Sequence, residues 1–76
     1  MVKLKYFKVT RRNSLDRSYS VFEELTDELE KDINRWCTGR NIDDDDIVSV
    51  STSRTIERGD LYDHYSMSAI LCYKGE

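Results

Sequence analysis

The chain has 76 residues, of which 36% are charged and 38% hydrophobic, and its formal net charge is −3. A chain this short buries a limited fraction of its surface, so we expect one small domain over residues 1–76. The mild acidity argues against direct nucleic-acid binding, and no apolar run approaches the length of a membrane span. Two cysteines make at most one disulfide, which predicts a reduced protein of the cytoplasm.

The first segment, "VKLKYFKV", has the alternation of a β-strand. Val2, Leu4 and Tyr6 alternate with lysines and would share one face. Phe7 and Val9 fall on the opposite face, which predicts either a bulge or a strand end that is covered on both faces.

The next stretch, "TRRNSLDRS", is polar and predicts a loop, and a helix follows it. Its apolar stripe has spacings of three and four and consists of Phe22, Leu25, Leu29, Ile33 and Trp36. Ser20 and Glu23 fit a capping box, and Thr26 is a second possible N-cap one turn later. Gly39 occupies the position at which a left-handed residue would end the helix.

The last third of the chain predicts a β-hairpin that turns at Gly59. In its first strand, "IVSVSTSRTI", one face would carry Val48, Val50 and Ile56, and the other Ser49, Ser51 and Ser53. In its second strand, one face would carry Tyr65, Met67, Ala69, Leu71 and Tyr73, and the other Tyr62, His64, Ser66, Ser68, Ile70 and Cys72.

These elements predict an α+β fold with the order β-α-β-β. The third strand has the longest apolar alternation, so we place it in the centre of a three-stranded antiparallel sheet with the order 1-3-2. A right-handed crossover through the helix would connect the outer strands. The helix would pack on one sheet face, and no further element remains to cover the other.

Four consecutive aspartates, Asp43 to Asp46, precede the hairpin. Calcium loops space their carboxylates at alternate positions and turn on a glycine, and this run does neither. The pattern favours a solvated loop. A surface that imitates nucleic-acid phosphates and a metal site are the alternatives.

The residues that catalysis commonly uses are sparse. His64 is the only histidine, and it supplies neither a triad nor a metal set. No G-x-S-x-G, CxxC or HExxH motif occurs. Cys37 lies beside the helix stripe and is expected in the core, and Cys72 is expected to be partly buried. We therefore expect a protein that is not an enzyme and that needs no cofactor or metal.

The uncovered sheet face is either a water-facing surface without a role or a contact surface. Its serines and tyrosine suit polar contacts, and arginines suit phosphates and carboxylates. We expect Arg54 and Arg58 at the far end of this face. The candidate ligand-binding residues are Arg11, Arg12, Arg54, Arg58, Tyr62 and His64. The open face and the strand edges also predict a homo-oligomer.

A lysine-rich first strand and the segments "LEKDINRW", "IVSVSTS" and "HYSMSAILCYK" resemble a family of very small sporulation proteins of spore-forming bacteria and their phages. The resemblance covers roughly residues 2–9 and 25–74. It implies a β-α-β-β fold and a spore-former or phage as the source, and it carries over no catalytic residues. The longer "RRNSLDRSYS" connection and the run "DDDD" depart from the family pattern.

Three functions are compatible with these features. The leading hypothesis is a phage-type, non-enzymatic binding protein that neutralises a host protein or sequesters a small anionic, nucleotide-like signal. The second is a structural or regulatory sporulation protein without a ligand. The third is an acidic DNA mimic that combines Asp43 to Asp46 with the helix acids.

Overall fold

A computed structural model describes residues 1–14 and 21–75 of the chain. The elements are strand β1 (Val2–Ser14), helix α1 (Val21–Gly39), a short 3-10 turn (Asp44–Asp46), strand β2 (Ile47–Glu57) and strand β3 (Tyr62–Lys74). The three strands form one antiparallel sheet with the order β1-β3-β2. The predicted β-α-β-β fold and strand order are therefore confirmed.

Strand β1 is longer than its composition suggests. The loop predicted over residues 10–18 was wrong for Thr10 to Ser14, because β1 pairs with β3 without interruption from Val2 opposite Lys74 to Ser14 opposite Tyr62, and the rest of that prediction lies outside the described residues. The 13 residues of β3 offer backbone partners along their whole length. Each added pair satisfies backbone N–H and C=O groups, and this outweighs the polar composition of the segment.

The two faces of β1 have different surroundings. Phe7 and Val9 are buried beneath the helix, whereas Val2, Leu4 and Tyr6 are exposed on the other face. The register has no bulge in β1, so both predicted explanations of its double apolar pattern were wrong. The sheet has its irregularity at the start of β2, between Ile47 and Ser49.

Helix α1 buries the predicted apolar stripe. Leu25 and Leu29 are buried, and the other three stripe residues are partly buried against the same core. Thr26 lies in the helix interior, where its hydroxyl donates to the Phe22 carbonyl oxygen at 2.6 Å, so its prediction as an N-cap was wrong. The capping box predicted at Ser20 lies outside the described residues. Within residues 1–14 and 21–75, no helix has the length and hydrophobicity that a membrane crossing requires.

A Schellman motif follows helix α1, and its left-handed residue is Asn41 and not the predicted Gly39. Asn41 has φ 56°, whereas no glycine of the described chain has a positive φ. The Asn41 N–H donates to the Thr38 carbonyl at 3.3 Å, and the Ile42 N–H donates to the Cys37 carbonyl at 2.9 Å. These two bonds satisfy helix carbonyls that would otherwise lack partners, and Asn tolerates the left-handed conformation that they need.

The core lies between α1 and two of the three strands. Its buried hydrophobic residues are Phe7, Val9, Val21, Leu25, Leu29, Cys37, Met67, Ala69 and Leu71. The helix packs on β1 and β3 and leaves every residue of β2 after Ile47 exposed. Val50 shows this most directly: it is 47% exposed although it lies opposite the fully buried Leu71.

Candidate functional site

The open face is the surface of the sheet that the helix does not cover. It carries Val2, Leu4, Tyr6, Lys8, Thr10 and Arg12 of β1, Ser49, Ser51, Ser53, Thr55 and Glu57 of β2, and the residues from Tyr62 to Lys74 with even numbers. The predicted face of β3 with His64, the serines, Ile70 and Cys72 is therefore confirmed.

The six predicted ligand residues do not converge on this face. Arg12 lies opposite His64, and both belong to the open face together with Tyr62. Arg11 lies opposite Tyr65, and Arg54 lies opposite the buried Met67, so these two arginines lie on the face that carries the helix. Successive residues of a strand point to opposite faces, so neighbours such as Arg11 and Arg12 are separated by the sheet.

Arg11 connects β1 to the helix. Its guanidinium forms an ion pair with Glu24, and its Nη2 donates to Glu28 Oε2 at 3.1 Å. The two carboxylates lie one helical turn apart, which matches the reach of one guanidinium fork. The charge of Arg11 is thus already neutralised within the protein.

Arg58 has an internal partner that the prediction did not include. Its Nη1 donates to Oδ2 of Asp63, a carboxylate that is only 4% exposed. Among the described residues, the other carboxylate oxygen, Oδ1, has no hydrogen-bond partner. The sequence does contain a signal for this pair. Asp63 shares the parity of Tyr65 and Met67 and therefore falls on the apolar face of β3.

The other two arginines lie over aromatic rings. The Arg54 guanidinium carbon lies 5.2 Å from the centroid of the Phe22 ring on the helix side. The Arg12 guanidinium carbon lies 5.6 Å from the Tyr62 ring on the open face. The expectation that Arg54 and Arg58 together close the far end of the serine face was wrong, because Arg54 packs on the helix and Arg58 pairs with the buried Asp63.

The open face has an apolar half that the prediction did not emphasise. Val2, Leu4, Tyr6 and Ile70 are 59%, 70%, 57% and 44% exposed. Tyr6 lies directly opposite Ile70, and Leu4 lies opposite Cys72, so these side chains are neighbours across the two strands. The sequence does show Val2, Leu4 and Tyr6 on one face of β1. Such a face belongs to the core only if another element covers it, and in the described chain none does.

The other half of the open face is polar and carries more positive than negative charge. Ser53 and Ser68 share a hydrogen bond of 2.8 Å between their hydroxyl oxygens. Farther along, Lys8, His64 and Glu57 border a shallow depression of about 120 Å³. This volume is well below the roughly 300 Å³ at which small-molecule pockets begin, so the depression suits a contact surface better than an enclosed ligand.

The acidic run forms a turn that opens β2. Asp44–Asp46 make the 3-10 turn, and the Asp46 carboxylate accepts the Asp43 N–H at 3.2 Å. Within the described part of the chain, no three His, Cys, Asp or Glu side chains are grouped as a metal site would require. The run follows the C-terminal end of α1, whereas Glu24 and Glu28 lie near its start.

Both cysteines are free thiols in the predicted environments. Cys37 is buried in the core, and Cys72 is half-buried on β3, so both predictions are confirmed. Burial raises the pKa of Cys37 above the ordinary value of 9.0, and the nearby negative charge of Asp44 raises it further.

In comparisons with protein-family models, curated proteins and solved structures, no match to this chain was found. The resemblance to the small sporulation proteins stays a prediction.

Proposed function

We propose that this chain is a non-enzymatic binding protein that holds a partner protein on its open face and so neutralises a component of the host cytoplasm. One observation carries the proposal: Val2, Leu4, Tyr6 and Ile70 are exposed together on a sheet face that no element of the described chain covers. Neighbouring apolar side chains that are exposed together commonly mark a surface that binds another molecule. The resemblance to phage and spore-former proteins supports a host component as the partner.

The apolar half supplies only part of the required affinity. Full burial of a large apolar side chain stabilises by about 1.5–3 kcal/mol, and these four are roughly half exposed, so together they offer about 3–7 kcal/mol. Association of two proteins costs about 4–15 kcal/mol in lost freedom of motion. The polar half of the face must therefore contribute as well.

The polar half indicates the chemistry of the partner. Lys8 and Arg12 bring two positive charges to this half of the open face, and Glu57 brings one negative charge. Tyr62 and Arg12 are stacked at this end, and Tyr and Arg are the residue types that most often dominate binding energy. The complementary surface is an apolar patch that is flanked by carboxylates.

A photo-crosslinking amino acid at Leu4 tests the proposal. Introduced in place of Leu4, it should form a covalent adduct with an acidic protein in a host lysate, and the same group at Asn34 on the exposed helix surface should not. Adducts from Asn34 alone, or adducts from Leu4 only with a second copy of the chain, would contradict the proposal.

The chain offers a matched control for this experiment. Leu4 and Leu61 are 70% and 75% exposed, but Leu61 lies in the hairpin turn outside the open face. With the isolated partner, we expect Leu4→Ser to weaken binding by about tenfold and Leu61→Ser to leave it unchanged, because only Leu4 would lose buried apolar area. Equal effects of the two substitutions would move the binding surface elsewhere.

We also propose that a second copy pairs with the outer edge of β2. This strand has 11 residues, is exposed on both faces, and contains neither proline nor lysine. Edge strands commonly avoid pairing through lysines, prolines or bulges, and β1 carries Lys3, Lys5 and Lys8. The irregularity of β2 is confined to its start, between Ile47 and Ser49, so the rest of its edge is the less protected one, and pairing there would leave both open faces free for partners.

A further inference from the structure

We infer that the groove at the C-terminal end of helix α1 is a binding site for a nucleotide, a ligand that joins a phosphate to a planar ring. The groove lies between the Schellman turn and the adjoining ends of β1 and β3, and its volume is about 510 Å³. Pockets for small ligands occupy roughly 300–1,000 Å³, so the groove has the size for a mononucleotide. It lies at the helix side of the sheet end and shares only Lys74 with the open face, so it can be tested separately from the proposed function of that face.

The charges of the groove select an anion. Lys3, Arg40 and Lys74 line it, against a single carboxylate from Asp46. All three cations are exposed, and within residues 1–14 and 21–75 none of them forms an ion pair.

The helix end itself does not account for these cations. The C-terminal end of a helix carries about half a negative charge, and the Schellman hydrogen bonds already satisfy several of its carbonyls. Three positive charges minus one carboxylate and about half a charge leave a surplus of about 1.5 positive charges among the lining groups. A further cation lies close by, because the Lys5 Nζ is 5.7 Å from the centroid of the Trp36 ring.

The aromatic lining provides a place for the ring. Trp36 and Tyr73 both line the groove, with ring centroids 5.3 Å apart and an interplanar angle of 72°. Phe7 packs edge-on against Trp36 at 5.9 Å, so the indole is held in place before a ligand arrives. A rigid aromatic surface beside a guanidinium is an arrangement that binds a base and its phosphate together.

Arg40 would bind the phosphate group. It is the residue that directly precedes the left-handed Asn41, and its guanidinium carbon lies 5.3 Å from the Trp36 ring centroid. From this position, a two-pronged contact with phosphate oxygens is compatible with a ring lying along the indole. Lys3 approaches from the strand side and would contact the same phosphate as a point charge, and Lys74 adds positive charge at the rim of the groove.

Titration of the full chain with AMP tests the inference, with adenosine and inorganic phosphate as the two partial ligands. Trp36 is the only tryptophan, so its fluorescence reports on this groove alone. We expect AMP to quench the fluorescence, to bind more weakly at high salt, and to bind at least tenfold more tightly than either adenosine or phosphate. Calorimetry provides an independent readout.

Variants that each remove one positive charge, inside or outside the groove, locate the site. Arg40→Gln and Lys3→Gln should each weaken AMP binding by about tenfold or more, because each removes a charge-assisted contact. Lys31→Gln on the exposed helix surface should leave binding unchanged, and so should Leu4→Ser on the open face. All four positions are exposed, so thermal melts should show folded proteins.

Three outcomes would overturn the inference. The first is the absence of quenching and heat with millimolar AMP. The second is inorganic phosphate binding as tightly as AMP, which would remove any role for the rings. The third is an equal loss of affinity in Lys31→Gln and Arg40→Gln. None of these results bears on the open face, whose own test uses the partner protein.

Discussion

The pair of Arg58 and Asp63 links a turn residue to the protein interior. The Arg58 side chain is 72% exposed, so a surface count would rank it as dispensable. Its partner carboxylate is nevertheless buried, and an ionised carboxylate without a partner in the interior is costly. Arg58 therefore serves the hairpin, and a ligand would have to compete with Asp63 for its guanidinium.

This pairing predicts a large effect of Arg58→Ala on stability. We expect the free energy of unfolding to fall by about 2–4 kcal/mol, since the substitution leaves a buried charge uncompensated. Arg35→Ala is the control, because Arg35 is 80% exposed and its contact with Asp32 is 3.9 Å long, so it should cost less than about 0.5 kcal/mol. Denaturant melts measure both. Equal losses for the two variants would show that Asp63 does not depend on Arg58.

The two cysteines should differ in reactivity. Cys37 is buried and its pKa is raised, by burial first and by Asp44 second, whereas Cys72 is half-buried. The thiolate is the reactive form, so we expect a thiol reagent at about pH 8 to label Cys72 much faster than Cys37. Peptide mass spectrometry of the labelled wild-type protein measures both rates. Comparable rates would contradict the core position of Cys37.

The same shift gives Cys37 a pH-dependent effect on stability. The folded state holds the thiol proton more tightly than the unfolded chain does. The contribution of Cys37 is therefore fully present below its ordinary pKa of 9.0 and is lost as the pH rises through the higher folded-state pKa. Stability should decline above about pH 9 for this reason, in a range where other groups also titrate.

At the scale of elements, the helix could be predicted well because the five apolar residues of its stripe keep helical spacing from Phe22 to Trp36. The end of β1 could not, because the pairing of Thr10 to Ser14 depends on the length of β3 and not on their own composition. Long-range backbone pairing of this kind leaves no local signal. The candidate site was scattered for a related reason: extending β1 as a strand sent Arg11 and Arg12 to opposite faces.

The helix covers only part of the sheet, and no local sequence pattern predicts this. The sequence placed Val48, Val50 and Ile56 together on one face of their strand, yet all three are between 37% and 52% exposed. A single helix is about 10 Å wide and strands lie about 4.8 Å apart, so it covers two strands and not three. The remaining strand, β2, is left to solvent or to another chain.

This geometry predicts opposite outcomes at two residues that face each other. Leu71→Ala should reduce the free energy of unfolding by about 2–5 kcal/mol, because Leu71 is fully buried under the helix. Val50→Ala, on the same face in the neighbouring strand, should cost less than about 1 kcal/mol. Urea melts of both variants decide it. A large loss for Val50→Ala in a monomer would mean that the helix covers β2 after all.

At the scale of the molecule, an elongated body presents three different surfaces. The extents are 48 × 17 × 14 Å, so much of the 76-residue chain lies near solvent and the buried core is small. Small domains of this kind often gain stability by association. The open face, the groove at the C-terminal end of α1 and the outer edge of β2 can be tested separately, because Leu4, Arg40 and Thr52 each belong to one of them.

Pairing at the β2 edge makes a specific prediction for Thr52. Thr52 is the middle residue of β2, with five strand residues on each side, so a fully overlapped antiparallel pair would place it beside its own copy. We expect a dimer of about twice the 9.0 kDa chain mass for the wild type, measured by light scattering at micromolar concentration. Thr52→Lys should shift it to the monomer, because two ammonium groups would then face each other across the new pair.

Thr10→Lys is the matched control. Thr10 is also an exposed strand threonine, but it lies on β1, whose edge already carries several cations. This substitution should leave the dimer intact, and both variants should melt close to the wild-type temperature when they are compared as monomers. A wild type that is monomeric at these concentrations would exclude the pairing. A dimer that survives Thr52→Lys and is lost with Leu4→Ser would place the contact on the open face instead, in competition with the proposed partner.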